Sequence, residues 1–493
     1  MLFKGALEML KSQRIPLAIC AVTFLVWTTL LFYKYDHLGY YDWDLAFFTQ
    51  ACWQLLHGSQ YTSVTGINYF GDHSYIITFL TLPFFALVPH PLTLVMLKLT
   101  AFIVAAYLFY KIAYEALGES TALILMVLYI LFPANIFSIL YEYNPESFAP
   151  PFLFWMFMAF QKKQWRSFFV ASVLLMLIKE NMCLFVCVFG LYGLFRKDCP
   201  PKIAWSSIFL GAAVFYAMSI VVVPYFRHLT YHPFVVRYAY LGHSVGEIIF
   251  NVFAQPQKIV HAVFTSLNGR YIQALFGPLL LPALISWQIL FLAFPILLQH
   301  LLSVEPPEHS IYYHYGETIA PFIFLAVMCT LRSCRQRFSG KIFNMILVLL
   351  IALSLANLYD YRYQFRSKLD YHFDHLDAMR WAFVDAVPPH EGVIATFDYL
   401  SPLALRDQLY AFHKVYDESY QDPKAIEISE LNTGKSFILP DQVHYALIDF
   451  EDPWLQNEYM LMPPVISQRI QSFLVNSHWK IIKRYGSIVL MRR

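Results

Sequence analysis

The sequence predicts an α-helical polytopic membrane protein with a small extracytoplasmic α/β domain at its C-terminal end. Three observations lead there. Charged residues fill 14% of the 493 positions and hydrophobic ones 58%, whereas soluble domains carry about 25% charged residues. Mean hydropathy is +0.49. Apolar runs of bilayer length recur as far as residue 360, after which the composition turns polar and mixed.

The first run, "IPLAICAVTFLVWTTLLFYKY", follows the basic flank "MLFKGALEMLKSQR". A cleaved signal has a shorter apolar core and a small-residue cleavage site, so a retained signal-anchor helix is expected. A span needs about 20 mostly apolar residues. Candidates fall near 15–33, 92–111, 120–138, 149–161, 167–180, 182–196, 203–225, 271–286, 287–302, 315–331 and 342–360, about eleven in all. Pro278 and Pro282 interrupt the 271–302 run, which reads as one tilted helix or two. The apolar stretch 73–89 is read as interfacial, because the Lys and Arg clusters then alternate cleanly. Lys4, Lys11 and Arg14, then Lys162, Lys163 and Arg166, then Arg196, Lys197 and Lys202, then Arg332, Arg335, Arg337 and Lys341 all fall on one side, the cytoplasmic one.

The expected organisation is therefore a membrane domain over 1–360, with a first extracytoplasmic loop at 34–91, and a soluble extracytoplasmic domain over 361–493. In the latter, "EGVIATFDYLSPLALRDQLYAF", "VHYALIDF" and "YGSIVLMRR" carry β-rich runs separated by helical and turn-rich stretches. Seven cysteines show neither a disulfide framework nor a zinc spacing. The net charge of +2 is uninformative, and nothing in the sequence suggests nucleic-acid binding. No GxGxxG, Walker A, HExxH or GxSxG motif stands where a cytosolic cofactor enzyme needs it.

Nearly every conspicuous acid and histidine lands on the extracytoplasmic face, although Lys and Arg alone set the topology. In "YYDWDLAFFTQACWQLLHG", Asp42 and Asp44 precede an amphipathic stretch with Gln50 and His57 on its polar side. Either aspartate can cap that helix; the pair can equally act as a base or bind a hard cation. Asp72 and His73, in "FGDHSYI", cap the next segment or contact a lipid phosphate. "YEYNPESFAPP" groups Glu142, Asn144 and Glu146 among prolines that restrict the loop. In "LIKENMCL", Lys179 and Glu180 interrupt an apolar run, and charges there are costly unless paired or lining a cavity. Lys179 either pairs with Glu180 or meets the phosphate of a lipid-linked donor. "SVEPPEHSIYYHYGETIAPF" offers His314 and Tyr315 just ahead of a span, suited to phosphate or hydroxyl recognition or to an aromatic belt. Arg227, His228, His232, Arg237 and His243, in a long loop, are further anion contacts.

The ordered blocks "WDLAFFTQACWQLLHG", "FGDHSYI", "YEYNPESFAPP", "LIKEN" and "YYHYGETIAPF" resemble a family of bacterial predicted membrane proteins over most of the chain. Ala46, Asn144 and Asn181 depart from the family's Gly, His and Asp. That family is similar in architecture to C-type glycosyltransferases, such as the aminoarabinose, mannosyl and oligosaccharyl transferases. The resemblance implies a multi-pass protein of the bacterial inner membrane, N-terminus cytoplasmic, that takes a sugar from a polyprenyl phosphate or diphosphate. The acceptor would be an extracytoplasmic glycan, lipid or protein. It singles out Asp44 as the catalytic base, with Asp42 second and Glu142 beside them. Lys179, Arg237, His314 and Tyr315 would bind donor phosphate, and Gln50, His57, Asp72, His73, Glu146 and Glu180 would line the site. A divalent cation, Mg or Mn, held by Asp44 and Glu142 is an optional addition. The alternatives are a transporter or flippase of lipid-linked sugars, which predicts midplane charges and helix repeats, and a non-catalytic scaffold for envelope assembly.

Overall fold

The computed structural model describes residues 13–369, 376–416, 440–452, 455 and 479–493. Lys4 and Lys11 of the basic flank lie outside them. Five helices are long and apolar enough to span: Arg14–Asp36, Pro91–Leu117, Pro201–Arg227, His314–Arg337 and Gly340–Asp360. A sixth span forms if Glu119–Ile130 and Pro133–Leu140, bent by 48°, are taken together. The bend has a covalent cause: Pro133 donates no N–H, and Phe132 before it is held extended at ψ 127°. The figure of eleven is thus not reached by helix length among the described residues. Several of the runs counted towards it form shorter apolar helices, such as Trp165–Met176 and Trp287–Leu302. The 271–302 run is broken into short pieces at Gly277–Leu279 and Phe291–Ala293. The ambiguous stretch becomes a ten-residue helix, Thr78–Leu87 with Pro83 inside, about 15 Å long and half the depth of a hydrocarbon core.

Burial sorts these helices. His314–Arg337 is 78% buried and lies at the centre, whereas Arg14–Asp36 and Gly340–Asp360 are each 17% buried. Their exposed Leu25 and Val26, and Met345 and Val348, form an apolar outer surface. Cys183–Leu194 packs closely on Pro201–Tyr216 because both carry glycine at the contact. A Cβ at Gly190 would stand 2.6 Å from the Ala204 carbonyl, and one at Gly211 would stand 2.6 Å from Cys187 Sγ. Small residues of this kind let apolar helices approach through dispersion alone.

At one end of the helices the polar loops gather. The first loop carries the helix Asp44–Leu56 and a two-strand ribbon, β1 (Tyr61–Thr62) with β2 (Ile67–Asn68). The C-terminal domain is a mixed five-stranded sheet made of β3 (Gly392–Ala395), β4 (Leu409–Ala411), β5 (Val443–Asp449), β6 (Lys480–Tyr485) and β7 (Ile488–Arg492). Its order is β4-β3-β5-β7-β6, parallel across β4, β3 and β5 and antiparallel from β5 outwards. Four strands arise from the β-rich runs, whereas β6 carries the charged "KIIKRY" along an edge with little burial. The domain rests on the first loop: Gln50 Nε2 donates to the Arg406 carbonyl at 3.1 Å, and Trp381 Nε1 donates to that of Asp36 at 2.7 Å.

Candidate functional site

The helix Asp44–Leu56 starts without a cap from its own strand of chain. Its leading N–H groups are met instead by Glu142, a hundred residues on. Glu142 Oε1 accepts from the Asp42 N–H at 2.8 Å, and Oε2 accepts from the Leu45 N–H at 2.6 Å. Lys98, inside a spanning helix, holds that loop by donating to the carbonyls of Tyr141 at 3.0 Å and Glu142 at 2.8 Å. Lys34 donates to the Leu140 carbonyl. Both lysines are buried, and each satisfies carbonyls the turn leaves open.

This borrowed cap releases Asp44 from capping. Its Oδ2 accepts from the Tyr141 hydroxyl at 2.8 Å, and its half-buried carboxyl otherwise lacks a hydrogen bond among the described residues. Asp42 accepts from the Trp43 N–H at 2.9 Å and from Tyr141 at 3.3 Å. Burial, then the neighbouring Asp42 and Glu142 carboxylates, hold the Asp44 carboxyl well above the usual range. Burial and Asp42 push Glu142 up to about 7, against the two N–H donors. A crowded carboxylate of raised pKa is suited to taking a proton near neutrality. Each Glu142 oxygen already accepts one of these bonds, so a cation shared with Asp44 would have to use the remaining lone pairs.

A second cluster lies beyond Tyr141, around a cavity of about 240 Å³. Lys179 Nζ meets Glu146 Oε1 at 2.5 Å, and Arg237 meets Glu308 at 2.7 Å. His300 Nδ1 meets the other Glu308 oxygen at 2.9 Å. Glu180 faces His73 at 2.5 Å and His232 at 3.3 Å. Lys179 thus pairs with Glu146 across loops, not with its neighbour Glu180. Burial pushes the Glu146 pKa up, but the Lys179 charge and hydrogen bond together with the neighbouring His314 and His300 outweigh it, and the net direction is down. Lys179 moves the other way, upward, since Glu146 and Glu180 outweigh its burial. Glu308 is brought down to about 2, burial being overcome by the His300 hydrogen bond and the Arg237 charge. The same cavity is also lined by the apolar Leu184, Phe215, Ile248, Val252 and Leu298.

Of the residues expected at the site, His73, Glu146, Lys179, Glu180, Arg237 and Tyr315 line this one cavity. His314 stands behind it, its Nε2 4.0 Å from Glu146, and its ring bridges Tyr141 (5.4 Å) to Tyr315 (4.2 Å). Through these rings Asp44 and its neighbours Asp42 and Glu142 adjoin the cavity without lining it. Asp72 is half-buried and close enough for its charge to raise Asp44. Gln50 is buried among the bonds to the C-terminal domain, where its Oε1 also accepts from the Val64 N–H at 3.0 Å. His57, at the far end of its helix, is exposed and bonded to the Trp53 carbonyl. Asn144 caps the turn Pro145–Phe148 through the Glu146 N–H at 2.9 Å. Sequence reasoning passed over His300, Lys34, Lys98 and Tyr141. A polar residue inside an apolar helix was the available signal for the first three.

Fold and site together define a polytopic membrane protein whose ionic centre sits at one end of its helices, under a small sheet domain. The chain belongs to the family described as "Predicted membrane protein (DUF2079)", which it matches over residues 34–441. No curated protein matches it. Among solved structures it is similar to the crystal structure of ArnT from Cupriavidus metallidurans in the apo state. That likeness has 11% identity and a TM-score of 0.48, and covers 96% of this chain and 97% of that one.

Proposed function

We propose that the protein is a glycosyltransferase of the bacterial inner membrane, moving a sugar from a polyprenyl-phosphate-type donor to an extracytoplasmic acceptor. The observation that supports this best is the mixed lining of the cavity beside Asp44, which combines apolar side chains with Lys179, Arg237, His73 and His300. An isoprenoid phosphate combines the same two characters, with a tail that partitions with apolar helices and a head that needs donors. In this reading the ionic end faces the extracytoplasmic side, because Lys162, Arg196 and Arg335 belong to the opposite end.

The acceptor's hydroxyl or amide proton passes to the Asp44 carboxylate. The freed electron pair attacks the anomeric carbon, and the bond from that carbon to the phosphate oxygen breaks. Lys179 and Arg237 stabilise the departing anion, where developing charge in a water-poor site gains most. Tyr141 orients Asp44, and His314 with Tyr315 joins the two halves. The C-terminal domain, braced on the first loop, would bound the acceptor side.

The test is sugar transfer by purified protein supplied with labelled polyprenyl-phosphate sugars and extracytoplasmic glycan, lipid or peptide acceptors. Transfer by the wild type that is lost in Asp44→Ala, with unfolding unchanged, is the expected result. Full activity in Asp44→Ala removes Asp44 from the mechanism; no transfer from any donor by folded wild type overturns the reading.

A further inference from the structure

The cavity's lining carries three carboxylates, Glu146, Glu180 and Glu308, against two permanent cations, Lys179 and Arg237. Counting these five groups alone, one negative charge is in excess where a phosphate would have to be held. The geometry points to a remedy: His73, Glu180 and His232 bind one first-row transition dication, Zn²⁺ or a close chemical equivalent, with an open coordination position facing the cavity. Binding of the ion stands by itself. That the ion then recruits phosphate rests on the transferase reading above.

Three separate loops deliver the ligands, and their donor atoms lie within 4.8 Å of one another. An ion about 2.0 to 2.1 Å from each ligand in tetrahedral geometry separates the donors by about 3.3 Å. Glu180 Oε1 to His232 Nε2 is 3.3 Å; His73 Nδ1, at 2.5 Å, has to retreat by less than about 1 Å. The ligands are themselves held. Glu180 Oε2 accepts from the Ser74 N–H at 3.1 Å and its hydroxyl at 3.2 Å. The His73 ring stacks on Phe234 at 4.3 Å and 10°. Such outer contacts orient metal ligands and tune their basicity.

His232 supplies the independent sign. It is buried, and its Nε2 has no hydrogen-bond partner of good geometry among the described residues while facing Glu180. Ligation through Nε2 places the ring proton on Nδ1 and displaces only a 3.4 Å contact from the Phe234 N–H. Two imidazoles and one carboxylate suit zinc and its neighbours better than magnesium or calcium. Three protein ligands leave the fourth position for a substrate oxygen. The competing reading is a carboxylate that merely accepts hydrogen bonds from two imidazoles.

The experiment uses full-length protein in detergent, stripped with a chelator, reloaded with Zn²⁺ or Co²⁺ and desalted. Metal analysis is expected to find about one ion per chain. Co²⁺ should give the visible bands of a low-coordinate nitrogen–oxygen site. Glu180→Gln and His232→Gln should each weaken binding by roughly 100-fold. Folded wild type that retains no ion and shows no cobalt bands overturns the proposal, whatever the variants do. For the second half, polyprenyl phosphate should bind at least roughly tenfold tighter to the Zn²⁺ form, and reciprocally tighten the ion. Equal binding to stripped and loaded protein overturns that half. Full sugar transfer by ion-free protein removes the ion from donor binding and leaves the transferase standing. A bound ion without transfer from any polyprenyl-phosphate sugar does the reverse.

Discussion

Replacing Lys179 by methionine keeps the length and apolar stem of the side chain and removes only the ammonium. Glu146, 3% exposed in its side chain, then loses the cation 2.5 Å away. Its other close partner, His314 at 4.0 Å, is an imidazole that carries charge only when protonated. Removing one partner of a buried pair typically costs about 3 to 5 kcal/mol, because the other charge stays buried without compensation. The pH dependence has a definite sign. In the wild type the folded pKa of Glu146 lies below its ordinary 4.5, so its contribution is present above that value and fades as pH falls. In Lys179→Met the ammonium no longer offsets burial, the folded pKa rises, and stability is lost as pH rises. The gap between the two proteins should therefore widen from about pH 5 to about pH 8. Unfolding followed by tryptophan fluorescence in mixed detergent micelles measures it. The double variant Lys179→Met with Glu146→Gln carries neither charge and should recover to within about 1 kcal/mol of wild type. Equal stability of Lys179→Met and wild type across that range would refute the reasoning. So would a double variant no better than the single one.

Three other outcomes are expected. Asp42→Asn removes a carboxylate that raises Asp44, so Asp44 ionises at lower pH; the acid limb of the transfer pH–rate profile should move down, and an unmoved limb separates Asp44 from the rate. Glu308 falls from 4.5 to about 2 in the folded chain, which contributes about 3 kcal/mol at neutral pH. That share is complete above the unfolded value and lost as pH falls towards 2; Glu308→Gln should flatten the acid side of the stability curve. Gln50→Ala removes bonds to Ser63, Arg406 and Val64. It should cost about 2 to 3 kcal/mol and expose the segment ahead of β4 to limited proteolysis, read as a faster first cut.

Local patterns made much of this legible. Hydropathy marked the membrane class, since hydrocarbon admits few charges whatever the packing. β-rich apolar runs marked β3, β4, β5 and β7, while β6 escaped because an exposed charged edge strand leaves no burial pattern. "YEYNPESFAPP", "LIKEN" and "YYHYGETIAPF" each supplied a residue at or beside one cavity, since unpaired polar groups in apolar surroundings have few places to go. Gln50 and His57 share a helical face with Asp44's neighbours, yet one is tied to the C-terminal domain and the other is exposed.

The sequence by itself determined a membrane-embedded helical chain, a sheet domain at its end and a set of polar blocks too costly to leave unpaired. Only the tertiary structure decided the pairings. Glu142 rather than either aspartate caps the first-loop helix, Lys179 meets Glu146 rather than adjacent Glu180, and Glu180 turns to His73 and His232. The physical reason is distance along the chain. Composition and periodicity report what a segment must bury, whereas an ion pair between residues 33 or 107 positions apart depends on how whole helices bend and pack.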